Sequence, residues 1–362
     1  MEKVKNLWQR IPHACRVVFA VLPVVTLLHF IFFVSSDFAE WYVLTVGDFF
    51  RSVLAWITNF IPASVAECIL ILVPVIMIAM FVYGIRGDSD RVFRLFCGSL
   101  SALMVVYSLF VLTFAAGFYM RDIGEIFEIE RRDLTVDELY SAALIAAEEA
   151  NEAYRSIDGR GPKSTVMCMS INEMNDTLLD AFDTVSEKYD YPATMYSRVK
   201  PVVHSEPMTY THISGVYTFF TGEANINVNY PDFVIPFTAA HELSHQRGVS
   251  RENEANFVAF LVCMESDNPY IRYSGYLNMF RYMAGALSSV APDRISELYS
   301  RLDSGVVNEL ASYSKFFDKY RDNVAADISD AVNDTYLTVM DGTDSRSYGM
   351  VVDLAVVYLL DK

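Results

Sequence analysis

Residues 236–264 read PFTAAHELSHQRGVSRENEANFVAFLVCM, and His241, Glu242 and His245 within them form an HExxH pattern. On a helix of 3.6 residues per turn the two histidines lie one turn apart on one face, so two imidazoles can reach one ion while Glu242 lies beside it. The surrounding residues predict such a helix. Pro236 suits a first turn, where its missing N–H costs nothing, Phe237, Ala239, Ala240 and Leu243 favour or bury a helix, and Gly248 can end it in the left-handed conformation. The plainer alternative, two core or surface histidines one turn apart by coincidence, leaves Glu242 without a purpose.

Beyond this stretch, the 362-residue chain is 53% hydrophobic, more than an ordinary soluble domain. Apolar runs at about 17–34, 68–85 and 95–118 are each long enough to cross ~30 Å of hydrocarbon, so three transmembrane helices are expected. The first run is longer than a signal-peptide core and no A-x-A site follows it, which predicts an uncleaved anchor. The segment at about 41–61 is apolar but carries Thr45, Asp48, Ser52 and Asn59 along one side. It is expected to lie in the membrane interface.

Lys3, Lys5, Arg10 and Arg16 precede the first span, and Arg86, Arg91 and Arg94 separate the second from the third, whereas 35–67 has only Arg51. Basic residues in short flanks stay on the cytoplasmic side, so the chain is expected to leave the membrane outside the cytoplasm near Tyr119. This divides it into a membrane domain, 1–120, and an extracytoplasmic domain, 121–362. The first part holds eight Lys/Arg against seven Asp/Glu and the second 20 against 38, net +1 and −18. An acidic outer part argues against nucleic acid as its partner and leaves a peptide or protein substrate, with the lipid bilayer meeting the membrane part. A solvated, colloidally stable surface accounts for the charge by itself. Of five cysteines, only Cys168 and Cys263 fall in the outer part, and their spacing demands no disulfide.

The outer domain reads as mostly helical with a small β-sheet, an α+β fold. Thr135 and Glu138 form a capping box ahead of a helix to about Ser156, and another runs from Asn172 to about Tyr189. The run VYTFFTGEANINVNYP, 216–231, is rich in β-branched and aromatic residues, and Thr221 and Gly222 break it, which predicts two or three short strands. After Asn268 and Pro269 an aromatic-rich helix is expected to about Ser289, and three more are expected over 293–340 and 348–360.

The blocks GVYTFFTGEANIN, HELSHQRGVSRENEANF, RYSGYL, NDTYL and SYGMVVDL are together similar to the bacterial membrane family called domain of unknown function 3810, over nearly the whole chain. That resemblance implies an N-terminal membrane part and a zincin-like domain with zinc metallopeptidase chemistry; the family has no established substrate. The glycine of the metzincin pattern HExxHxxGxxH is present as Gly248, but Arg251 stands at the third histidine, and arginine cannot ligate. Arg251, Glu252, Ala255 and Asn256 instead resemble the RExxAD segment of HtpX-like membrane gluzincins, with Asn for Asp. The resemblance makes Glu252 the third zinc ligand and Asn256 its supporting residue.

Spacing agrees if Ser250 caps a new helix, since Glu252 then shares a face with the small Ala255, Ala259 and Cys263. Glu254 shares one with Phe257, Val258 and Leu261 and is the alternative. Zinc held by His241, His245 and Glu252 would acidify a water from which Glu242 takes the proton. His212, Tyr336 and Tyr348 are candidate oxyanion stabilisers. The rival reading is an inactive, membrane-anchored binding or regulatory module that keeps the zinc fold, although binding alone does not require Glu242.

Overall fold

The computed structural model describes residues 8–321, 323–340 and 347–361, with side chains at all of these except 333, 336–340 and 347–350. Two compact units emerge, one of Met1–Met120 with Thr218–Gly222 and one of Arg121–Tyr217 with Glu223–Lys362.

In the first unit α1 (His13–Val34) is followed by α2 (Ser36–Tyr42), which passes through a π-helical turn, Val43–Gly47, into α3 (Asp48–Asn59). Then come α4 (Val65–Ile85) and α5 (Ser89–Thr113). α1, α4 and α5 are each long and apolar enough to cross a membrane. At 1.5 Å per residue the 21 residues of α4 reach about 31 Å, and side chains such as Leu70, Met77 and Phe81 are exposed along it. α5 stops at Thr113, five residues before the expected end, and Ala115–Phe118 forms a 3₁₀ turn instead.

The segment expected as one interfacial helix over 41–61 is thus two helices joined by a wide turn. Arg51 explains how the turn is tolerated: it is buried, and its guanidinium donates to the carbonyls of Val43, at 2.7 Å, and Thr113, at 3.3 Å. Those carbonyls lie where regular helical bonding is interrupted, so a fixed multi-donor cation satisfies them. On α3 the apolar Phe49, Val53 and Trp56 remain exposed. The stretch Thr218–Gly222 joins this unit through the Phe219 carbonyl, which accepts from the Thr113 hydroxyl at 3.3 Å, and the Phe219 ring, 5.4 Å from Phe110.

The second unit begins with α6 (Ile123–Ile126), α7 (Val136–Ser156) and α8 (Ile171–Tyr189). Both long helices start with capping boxes, Thr135 with Glu138 and Ser170 with Glu173, the latter one residue ahead of the expected start. Three short strands follow, β1 (Lys200–Pro201), β2 (Gly215–Thr218) and β3 (Glu223–Ile226), in the order β1-β3-β2, with a short helix α9 (Ser205–Thr209) between the first two. β1 runs parallel to β3, and the buried Lys200 and Glu223 pair at 2.6 Å between them.

The centre of the unit is α11 (Glu252–Glu265), which follows α10 (Ile235–Gln246) and precedes α12 (Pro269–Val290). Every residue of α11 from Asn253 to Met264 is buried, as befits a helix apolar on nearly all sides. Among the described residues the remaining α-helices are α13 (Ile295–Ser300), α14 (Ser304–Phe317), α15 (Val324–Met340) and α16 (Ser347–Asp361), four where three were expected. The extra break falls at Asp303, whose N–H donates to Asn151 Oδ1 on α7 at 2.7 Å.

Small residues set the closest crossings. Ala142, Ala143, Ala146, Ala147 and Ala150 are wholly buried on α7, which packs on α12 and α16. A Cβ on Gly275 of α12 would come 2.4 Å from Cys263 Cβ on α11. Because Cβ is fixed to the backbone, that clash cannot be rotated away. Gly275→Ala is therefore expected to cost a net 1–2 kcal/mol or so, overpacking outweighing a helix-propensity gain of ~1 kcal/mol. A lowered thermal midpoint of the detergent-solubilised protein would register it, and an unchanged or raised midpoint would refute it. Cys263 is buried and Cys168 exposed, both as free thiols.

Candidate metal centre

Pro236 lies in the first turn of α10, and the helix carries His241 and His245 to its C-terminal end. There Gly248 takes φ +98°, the Val249 N–H donates to the Ser244 carbonyl at 3.1 Å and the Gly248 N–H to that of His245 at 3.0 Å. This is the paired bonding that a left-handed glycine allows at a helix end. It also swings the Val249 carbonyl onto His245 Nδ1, 2.7 Å away. A carbonyl can only accept, so Nδ1 carries a proton and Nε2 is the nitrogen left for a metal.

α11 starts with Arg251 as N-cap, without a side-chain cap, so Ser250 does not take the capping role expected of it. Glu252 becomes the first helical residue, and its carboxylate faces both imidazoles. Oε2 is 3.2 Å from His241 Nε2, Oε1 is 3.4 Å from His245 Nε2, and the two Nε2 atoms are 3.0 Å apart. Three ligands around tetrahedral zinc, at about 2.0–2.1 Å from it, would stand about 3.3 Å from one another, so this donor set fits the ion in type and spacing. It is the three-residue His/Cys/Asp/Glu cluster found among the described residues. Burial works against the charge of Glu252, but the imidazoles beside it hold its carboxyl well below the usual carboxylate range. Burial likewise disfavours charge on His245, and Glu252 overrides it, raising that pKa to about 9.

Glu242 is buried, and burial raises its carboxyl to about 7 against the opposing pull of His241 and His245. The Tyr217 N–H, on β2, donates to it. β2 crosses so closely that a Cβ on Gly215 would sit 2.6 Å from both Glu242 Oε1 and Thr238 Cγ2. Sequence reading missed Gly215, Tyr217 and Val249; the one available signal was a glycine opening a predicted strand.

Glu254, the alternative acid, points elsewhere. Its Oε1 accepts from Arg251 Nη1 at 2.7 Å and from the Ile123 N–H, at the start of α6, at 3.1 Å. Asn256 shares the Glu252 side of α11, and its Oδ1 accepts from Tyr282 Oη at a long 3.5 Å rather than from an imidazole. The N–H of His241 or its lone pair at Nδ1 is buried without a partner among the described residues. His212, at φ +57°, has its Nε2 committed to the Tyr320 carbonyl at 2.9 Å, with its ring on Phe317. The side chains of Tyr336 and Tyr348 lie outside the described residues.

The family model described as protein of unknown function (DUF3810) matches residues 42–356. The chain belongs to this family. No curated protein and no solved structure matches it. The matched residues take in α4, α5, the three strands and all four site residues, His241, Glu242, His245 and Glu252.

Proposed function

We propose that this protein is a membrane-anchored zinc metallopeptidase that hydrolyses peptide bonds outside the cytoplasm, with a zincin-like second unit. The observation carrying this reading is the close triangle of His241, His245 and Glu252 donors with the buried Glu242 on the same helix. Zinc, when bound there, would supply the Lewis acidity that brings a water towards a pKa of ~7 and polarises a substrate carbonyl. Glu242 accepts the proton of the attacking water and returns it to the leaving amine, a role that a carboxylate one residue from a metal ligand can take. β2, at one edge of the sheet, would align an extended substrate alongside Glu242. Metal content of the purified full-length protein together with cleavage of an unbiased peptide library tests the whole reading. Zinc without any cleavage would favour the inactive binding module.

The glycine beneath Glu242 provides a sharper check. Gly215→Ala is expected to retain zinc yet lose most turnover, because the added methyl must displace either Glu242 or the substrate-bearing strand. Turnover equal to the unmodified protein would mean that this close approach is irrelevant to the chemistry.

The side of the membrane follows from the basic residues before α1 and between α4 and α5. Since Cys168 is exposed, a membrane-impermeant maleimide applied to intact cells is expected to modify it, with Cys168→Ser as the control. Modification only after lysis would put the second unit in the cytoplasm and overturn the proposed location.

A further inference from the structure

A cavity of about 350 Å³ opens between α12, α13 and α14, walled by Arg281, Tyr282, Tyr299 and Tyr313 and rimmed by Ser288 and Ser314. Its volume suits a group the size of one or two residues. The Arg281 guanidinium lies over the Tyr313 ring, 3.9 Å from its centre, and Nη1 donates to Asn278 Oδ1 at 3.0 Å. Stacking and this bond hold the planar fork in one orientation and leave its other N–H groups to be used. Among the described residues no carboxylate pairs with Arg281, although acidic residues outnumber basic ones 38 to 20 over 121–362. Arg281 is thus a half-buried cation held by aromatic rings and an amide, with no carboxylate on it among the described residues.

One wall of the cavity, Tyr282, also packs against the two helices that carry the candidate metal ligands. The Tyr282 ring lies 6.2 Å from that of Phe237, one turn before His241, and its hydroxyl reaches Asn256, one turn after Glu252. One turn of helix spans about 6 Å and the Phe237–Tyr282 ring separation adds 6.2 Å, so about four residues of extended peptide, at about 3.3 Å each, would match the distance from the metal ligands to the cavity. We infer that this cavity is a substrate subsite that takes a peptide carboxylate, of an acidic side chain or a C-terminus, on Arg281, with the three tyrosines around the apolar part of that residue. The inference takes its substrate class from the peptidase reading; the cavity and its cation stand independently of it.

The test uses the full-length Glu242→Gln protein in detergent and three fluorescent octapeptides, one with a glutamate and an amidated end, one with glutamine and a free end, and one with neither carboxylate. Anisotropy is expected to show whichever carboxylate peptide fits binding about 10–100-fold more tightly than the neutral one, the range of a charge-assisted contact. Which of the two binds tells the acidic side chain from the C-terminus. Arg281→Gln should erase that preference while neutral-peptide binding persists, and Ser288→Trp, which fills the cavity from its exposed rim, should erase it without touching the arginine. Equal binding of all three peptides, or a preference surviving both substitutions, overturns the inference. Cleavage by the unmodified protein separates the two levels: turnover with no charge preference leaves the peptidase and removes the subsite, whereas Arg281-dependent binding with no turnover leaves the subsite and removes the peptidase.

Discussion

Replacing Glu242 by glutamine is expected to leave zinc and the fold in place and to lower peptide hydrolysis by about 10²–10⁴-fold, the usual worth of a positioned general base. Glu242 is buried between α10 and β2, with the Tyr217 N–H on its carboxylate and Gly215 packed against Oε1. Glutamine keeps that shape, and its carbonyl oxygen can still accept from Tyr217, so packing has little reason to change. What it loses is the capacity to take a proton from water. Metal analysis and kcat/KM measured on the same preparation separate the two effects. A variant with full zinc and unreduced kcat/KM would remove Glu242 from the mechanism, and one that had lost zinc as well would mean that the residue supports the metal.

The second large effect discriminates two acids two positions apart. Glu252→Ala is expected to weaken zinc binding by more than about 100-fold, since even partners outside the ligand sphere are worth about 10–100-fold. Glu254→Ala should keep the zinc and destabilise the fold instead. Its carboxylate is 2% exposed and is held between Arg251 and the Ile123 N–H, so truncation removes a charged acceptor from Arg251 and leaves a backbone donor without this partner. Losing a buried acceptor of this kind costs about 1–3 kcal/mol. Zinc after dialysis and the unfolding midpoint, measured for both variants, give opposite patterns. Tight zinc in Glu252→Ala together with metal loss in Glu254→Ala would reverse the assignment.

Local periodicity carried much of this protein in plain view. Three apolar runs became three long apolar helices, Thr135 with Glu138 opened α7, and His241 and His245 came together because an α-helix fixes residues four apart on one face whatever surrounds it. Spacing alone could weigh Glu252 against Glu254 but rested on a cap at Ser250 that did not form. The separation of the two acids depended on Ile123, 131 positions away, and on Arg251, which together claim Glu254. Gly215 against Glu242, Val249 on His245 and Arg281 stacked on Tyr313 are likewise products of chain crossings and loop closures. Hydrogen bonding and steric repulsion within one turn of helix are set by neighbours in the chain, so the sequence alone determined the helices and the pair of imidazoles. The choice of Glu252 over Glu254, the strand over Glu242 and the cavity lined by Arg281 were decided by the tertiary structure, because excluded volume and the pairing of buried polar groups act between residues that only the completed fold brings within reach.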